Sequence, residues 1–181
     1  DTMVEATGNL IEGTLPRTSD QDLGVGVLVH EWAVLALTSC VIRENRVAAL
    51  QLVSRASVRI LGCALQATLP GSFTLNNGKH FENIGDGLLV LSGSDVEISD
   101  TRIEGNVRAG ILFDDSSGRI TDTVSTGNKY GLVLQGSPKP EVGDGNVFDD
   151  NEAQNRVSDI GLPVPDKPME ALPPLDRPDD R

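Results

Sequence analysis

Residues 110–134 read GILFDDSSGRITDTVSTGNKYGLVL. The stretch opens on Gly110-Ile-Leu-Phe113 and closes on Gly131-Leu-Val-Leu134, the same pattern 21 residues later. Between them lie a second alternating segment, Gly118–Thr121, and a third centred on Ser125, each bounded by Asp, Ser, Gly or Asn. Apolar side chains recur with period two and never with the 3.6-residue period of a helix, so one period holds three short strands joined by turns.

The same unit extends outward in both directions, and a fixed period is the signature of a repeat architecture. Gly26–Val29 (GVLV), Ala49–Leu52 (ALQL) and Gly87–Val90 (GLLV) precede the two copies above, with starts 23, 38, 23 and 21 residues apart. An insertion of 15 residues accounts for the 38. Second segments follow at Val34–Leu37, Val58–Leu61, Val96–Ser99 and Gly118–Thr121, with a degenerate one at Glu141–Val142. Third segments centre on Ile42, Leu65, Ile103, Ser125 and Phe148. Val4–Gly13 (VEATGNLIEG) matches Val96–Gly105 (VEISDTRIEG), so the chain enters the repeat at a second strand.

Three strands per period of roughly 23 residues describe an all-β, single-stranded, right-handed parallel β-helix of about five to six coils. These repeats resemble those of the pectin-lyase-like β-helix superfamily over about residues 3 to 151, without pointing to a specific enzyme family. A β-sandwich of regular strand spacing does not produce residue ladders at a constant offset, and this sequence has several. Asn45, Asn106, Asn128 and Asn151 share one position, with Thr14 and Thr68 in the other coils; such a row is expected to bond from coil to coil at a tight bend. Glu5, Leu35, Arg59, Glu97, Arg119 and Glu141 are expected on the outward face of the second strand, where alternating charges stabilise neighbours by about 0.2–1 kcal/mol each. Cys40 and Cys63 share a position with Thr101 and Thr123 and read as half-buried small residues; a disulfide across in-register coils is strained.

Composition agrees with a narrow solenoid. Aromatics make up 3% of the 181 residues, Gly numbers 19, and the core must come from Val, Leu and Ile. The net charge is −12, and the last 41 residues hold 11 acids against 4 bases. That acidity, with no basic stripe on the body, argues against nucleic-acid partners and anionic membrane surfaces, and no apolar run is long enough for membrane insertion. The chain opens at Asp1 without an initiator Met or an apolar leader. It is expected to be a mature or excised piece of a longer protein, or to be completed by another chain at its N-terminal end.

Deviations from the repeat are where function is sought. Two excursions, 14–23 and 68–83, leave at the same phase and both open with Thr-Leu-Pro. They should flank the turn around Arg46 and form a groove holding Arg17, Asp20, Asp22, Arg46, Lys79 and His80. The resemblance implies that enzymes of this superfamily keep their catalytic groups on the first-strand face. Here that outward row is Leu28, Gln51, Leu89, Leu112 and Val133, without the carboxylates or bases that acid–base chemistry or calcium would need. No catalytic residue, metal site or cofactor is assigned; Asp114-Asp115 and Asp144-Gly145-Asn146 offer at most weak calcium binding. Trp32, on the turn after the first strand, reads as packing or as a stacking platform for a ligand.

An aliphatic stripe needs cover. The Pro-rich acidic tail, 162–181, carries Leu162, Val164, Met169, Leu172 and Leu175, and is expected either to lie extended along the β-helix of 1–161 or to be a disordered linker. The sequence supports three functions. One is a non-catalytic structural or recognition domain of a secreted or cell-surface bacterial protein. The second is a polysaccharide-degrading or -modifying enzyme with its site between the excursions. The third is an assembly module using the aliphatic face or an open end. Expected partners are a polysaccharide or another protein chain.

Overall fold

A computed structural model describes residues 3–18 and 22–165. The first coil supplies β1 (Met3–Thr7) and β2 (Leu10–Glu12). The next two supply β3 (Val27–His30), β4 (Val34–Thr38), β5 (Val41–Arg43), β6 (Val47–Val53), β7 (Ser57–Leu61) and β8 (Ala64–Gln66). After β9 (Gly71–Thr74) come β10 (His80–Leu91), β11 (Asp95–Ser99), β12 (Arg102–Glu104), β13 (Ala109–Asp114), β14 (Ser117–Ile120) and β15 (Val124–Thr126). The chain then adds β16 (Tyr130–Gln135), β17 (Glu141–Val142), β18 (Val147–Asp149) and β19 (Gln154–Ser158).

Three parallel sheets run the length of the solenoid. A long sheet has the order β19-β16-β13-β10-β6-β3, a charged sheet β1-β4-β7-β11-β14-β17, and a short sheet β18-β15-β12-β8-β5-β2. Each strand pairs with its equivalent one coil away, which is the pattern of a parallel β-helix. Inward residues from the three sheets, among them Leu50, Leu88, Ile98, Ile103, Ile111 and Phe113, form one fully buried core. β19 adds a first strand in which Asn155 stands level with Gly131, with Val157 opposite Val133 and Ser158 opposite Leu134.

The corners explain the ladders. At the bend before each first strand a single residue takes a left-handed conformation, as at Glu44 (φ 54°) and Ala67 (φ 49°), and the next residue points its side chain along the axis. Thr14 N–H donates to Asn45 Oδ1 (3.0 Å), Thr68 to Asn106 (3.1 Å), Asn106 to Asn128 (2.9 Å) and Asn128 to Asn151 (3.1 Å). Four backbone amides of the row thereby have a partner in the neighbouring coil, while the buried Thr68 Oγ1 has none, so the ladder is interrupted between Asn45 and Thr68.

The ladder also dictates the glycine that opens each first strand. A Cβ on Gly26, Gly87, Gly110 or Gly131 would meet the ladder amide nitrogen of Asn45, Asn106, Asn128 or Asn151 at 2.6–2.8 Å. Ala49 replaces glycine in the one of these coils whose ladder residue is the shorter Thr68.

The opposite corner carries a second row in which Cys40 N–H donates to Cys63 Sγ (3.3 Å), Cys63 N–H to Thr101 Oγ1 (3.4 Å) and Thr123 N–H to Asn146 Oδ1 (3.0 Å). Both cysteines are free thiols and are buried rather than half-buried, and Cys63 Sγ takes the acceptor role that an oxygen fills in the later coils.

The outward row of the charged sheet differs from expectation at one coil. Ala36, not Leu35, lies between Glu5 and Arg59, and Leu35 is 8% exposed and points into the core. A one-residue slip exchanges the two faces, and Leu35 follows the apolar side. From Arg59 onward the register is Arg59, Glu97, Arg119, Glu141, with Arg59 Nε donating to Glu97 Oε2 at 2.9 Å.

The second excursion is a β-hairpin rather than a loop. β9 runs antiparallel to the start of β10, pairing His80 with Thr74 and Phe81 with Phe73. Its foot is a small core of Val47, Phe73 and Ile84, packed with Leu23, Leu75 and Phe81, and the two Phe rings lie 5.4 Å apart. These aromatic contacts, absent from the rest of the solenoid core's design, are what let β10 continue beyond the coil.

Candidate binding groove and the strapped sheet face

The two excursions meet at Arg46. Arg46 N–H donates to Gly24 O (2.8 Å), Nη1 donates to Pro70 O (2.6 Å), and Arg46 forms a parallel bridge to Leu69. Between them is a cavity of about 540 Å³, walled by Leu15, Pro16 and Thr18 on one side and by Pro70, Gly71 and Ser72 on the other. Arg46, Glu82 and Asn83 complete it.

The expected groove residues do not all converge. Asp22 is 4% exposed and accepts a hydrogen bond from Ser72 Oγ (2.8 Å), and its Oδ1 lies 3.7 Å from His80 Nδ1. His80 Nδ1 is also 2.9 Å from Thr74 Oγ1, and its Nε2 is 3.6 Å from Glu82 Oε1. The structure thus joins Asp22 and His80 with Ser72, Thr74 and Glu82 into one polar cluster beside the cavity. Lys79 turns away, its ammonium 4.8 Å from the Phe81 ring centre near the hairpin tip. Arg17 is exposed at the first excursion, where its N–H donates to Asp22 O (3.0 Å), and Asp20 lies outside the described residues. Glu82, Ser72 and Thr74 lay inside the quoted excursion, but nothing in the sequence revealed that they sit on paired strands.

On the long sheet, Gln51, Leu89, Leu112 and Val133 are buried and Leu28 is half-buried. Leu89, Leu112 and Val133 form an apolar cluster with Ala48, Val53, Leu91 and Ala109, against which Leu28, Leu162 and Val164 pack. The chain leaves β19 and comes back over this face as a strap. Gln135 Nε2 donates to Leu162 O (2.9 Å) while its Oε1 accepts Leu162 N–H (3.0 Å). Arg108 Nη1 donates to Pro163 O (2.6 Å). Met169, Leu172 and Leu175 lie outside the described residues.

Arg108 is held by Asp86, which the sequence reading did not single out. Arg108 Nε donates to Asp86 Oδ1 (2.9 Å), Nη2 donates to Oδ2, and Ala109 N–H also donates to Oδ1 (3.0 Å). The side chains are 7% and 0% exposed. An Asp at a position whose neighbours in adjacent coils are Ala48 and Ala109 was the available signal. Beside the strap, burial pushes the Asp114 carboxyl above the usual carboxylate range, a hydrogen bond from Gln135 opposes this, and Asp115 adds to it. In the second corner row, burial likewise pushes the Cys63 thiol up.

Trp32 stands on the first corner with Glu31, both left-handed (φ 65° and 51°), and the Arg55 guanidinium lies 4.8 Å from its ring centre. Among the described residues no group of three or more His, Cys, Asp or Glu side chains is placed to hold a metal ion.

Residues 24–159 match the family model described as the right handed beta helix region. No curated protein and no solved structure matches the chain. The matched span takes in β3 through β19, which is every strand of the three parallel sheets except β1 and β2, and the chain belongs to the right-handed β-helix family.

Proposed function

We propose that this chain is a non-catalytic structural and recognition domain of a bacterial protein that works outside the cell or on its surface. The observation that carries the reading is the closed face of the long sheet. Its outward row is mostly aliphatic and mostly buried, and Leu162 and Val164 pack on the cluster that holds Leu89, Leu112 and Val133, so this part of the broad face is occupied by the chain itself. A polar surface open to a ligand is the groove walled by Arg46, Glu82 and Asn83 beside His80, framed by two hydrogen-bonded excursions. Its guanidinium, carboxylate and amide groups suit the hydroxyl and carboxyl groups of a polysaccharide chain.

A second reading, a polysaccharide-active enzyme, is favoured by the contact of His80 with both Asp22 and Glu82, a pairing that general acid–base chemistry also uses. One screen separates them. Acidic and neutral polysaccharides are incubated with the protein, with and without calcium, and assayed for new reducing ends or unsaturated products and for binding. Binding without turnover, weakened by Arg46→Ala, is expected. Turnover abolished by His80→Ala would overturn the proposal in favour of the enzyme.

A further inference from the structure

The strap is held by directed polar contacts as well as by apolar packing. One side-chain amide, that of Gln135, meets both the N–H and the C=O of Leu162, which is how a neighbouring strand would pair with that peptide unit. One guanidinium N–H of Arg108 meets the next carbonyl, that of Pro163. Pro163 and Pro165 have no N–H to satisfy, and proline fixes φ, so the segment is extended before it docks and loses little freedom on docking. Leu162 and Val164 then supply the apolar contacts.

The buried Asp86–Arg108 pair points the same way. A buried ion pair adds little stability over apolar residues of similar size, so the solenoid core alone does not account for it. Its geometry does account for it, because Asp86 takes Nε and Nη2 and thereby aims Nη1 at the strap. The strap connects through Asp159 (φ 55°) and Gly161 (φ 65°), and a Cβ built on Gly161 would meet nothing within 4 Å, so this joint has room to turn.

We propose that the outer face of the long sheet is a peptide-recognition site for an extended segment of the pattern Leu-Pro-Val-Pro. Gln135 and Arg108 set its specificity, and the chain's own Leu162–Pro165 is its displaceable resident. The site adjoins the excursion groove, with Glu82 and Asn83 between them, but does not rest on the reading given to that groove.

The test uses the full chain. Leu162→Gly/Val164→Gly disarms the strap and leaves the groove residues in place. A capped peptide with the sequence of residues 160–165, Ile-Gly-Leu-Pro-Val-Pro, is titrated into this variant and into the wild type by calorimetry. The variant is expected to bind, and the wild type to bind at least about tenfold more weakly, because a tethered segment competes at millimolar effective concentration. Adding Gln135→Leu to the variant should weaken binding at least about tenfold. Failure of a folded variant to bind, or indifference to Gln135→Leu, would overturn the proposal. Wild-type dimers that form with concentration and vanish in the strap variant would support it, as exchange of straps between copies.

If the variant loses its β-sheet circular dichroism, hydrogen exchange on the wild type decides. The Leu162 amide should exchange through local opening at least about 100-fold faster than that of Ile111. Exchange of both only through global unfolding would make the strap a fixed part of the core and end the proposal.

Discussion

The same coils present two outward faces, and the chain treats them in opposite ways. On the charged sheet, Arg59, Glu97, Arg119 and Glu141 stack one coil apart, each more than half exposed and each beside its opposite. On the long sheet the equivalent row is Gln51, Leu89, Leu112 and Val133, none more than 3% exposed, with the strap packed on their cluster. Parallel in-register stacking puts equivalent positions next to each other in both cases, so each face repeats from coil to coil whatever chemistry that position carries. Alternating charges make one face permanently wet and soluble. Repeated Leu and Val make the other an adhesive stripe that the chain has to cover.

Several substitutions break or sharpen this contrast. The largest effect is expected from Leu112→Asp, which buries an unpaired carboxylate on the strapped face. It should cost more than about 4 kcal/mol and lower the denaturant midpoint accordingly, or leave the chain unfolded. If Leu112→Asp is as mild as a surface change, the face is open and the contrast fails. Asp86→Ala strands the Arg108 guanidinium and should cost about 3–5 kcal/mol in urea unfolding, whereas Asp86→Leu with Arg108→Met should be close to neutral.

On the charged face, Glu97→Lys places like charges between Arg59 and Arg119 and should cost about 0.2–1 kcal/mol, a difference that shrinks at 1 M salt. Asp114 gives a smaller change of opposite sign. Burial raises its carboxyl in the folded state above the unfolded value, so the folded protein favours the protonated form and stability is lost as pH rises through that range. Asp114→Asn should therefore raise the midpoint at pH 7, and the gain should vanish below about pH 4, where both states hold the proton.

Much of this contrast was legible in the residues. Period-two patterning at a fixed offset placed the three sheets, and the recurrence of Asn at one position of successive coils carried the ladder seen in hydrogen bonds. The alternating row was readable from Arg59 onward because charges mark the outward side. At Val34–Leu37 every residue is apolar, so no charge marks the outward side, and the signal that remained was the 23-residue offset of Cys40 to Cys63 and Ile42 to Leu65, which sets Ala36 level with Arg59. The hairpin was hidden for a different reason. Its stability comes from Phe73 against Phe81 and from Val47, a coil earlier, and no local turn signal reports contacts of that separation. Asp86 and Arg108 are 22 residues apart, and no local pattern reports that they pair in a buried position where Arg108 also reaches the carbonyl of Pro163.

The account stands on the strap lying across the long sheet, and methyl–methyl nuclear Overhauser effects on the full chain test this directly. Leu162 and Val164 methyls are predicted to give cross-peaks to methyls of the Leu89, Leu112 and Val133 cluster, with shifts away from random-coil values. Random-coil shifts for Leu162 and Val164, with no cross-peak to that cluster, would contradict it.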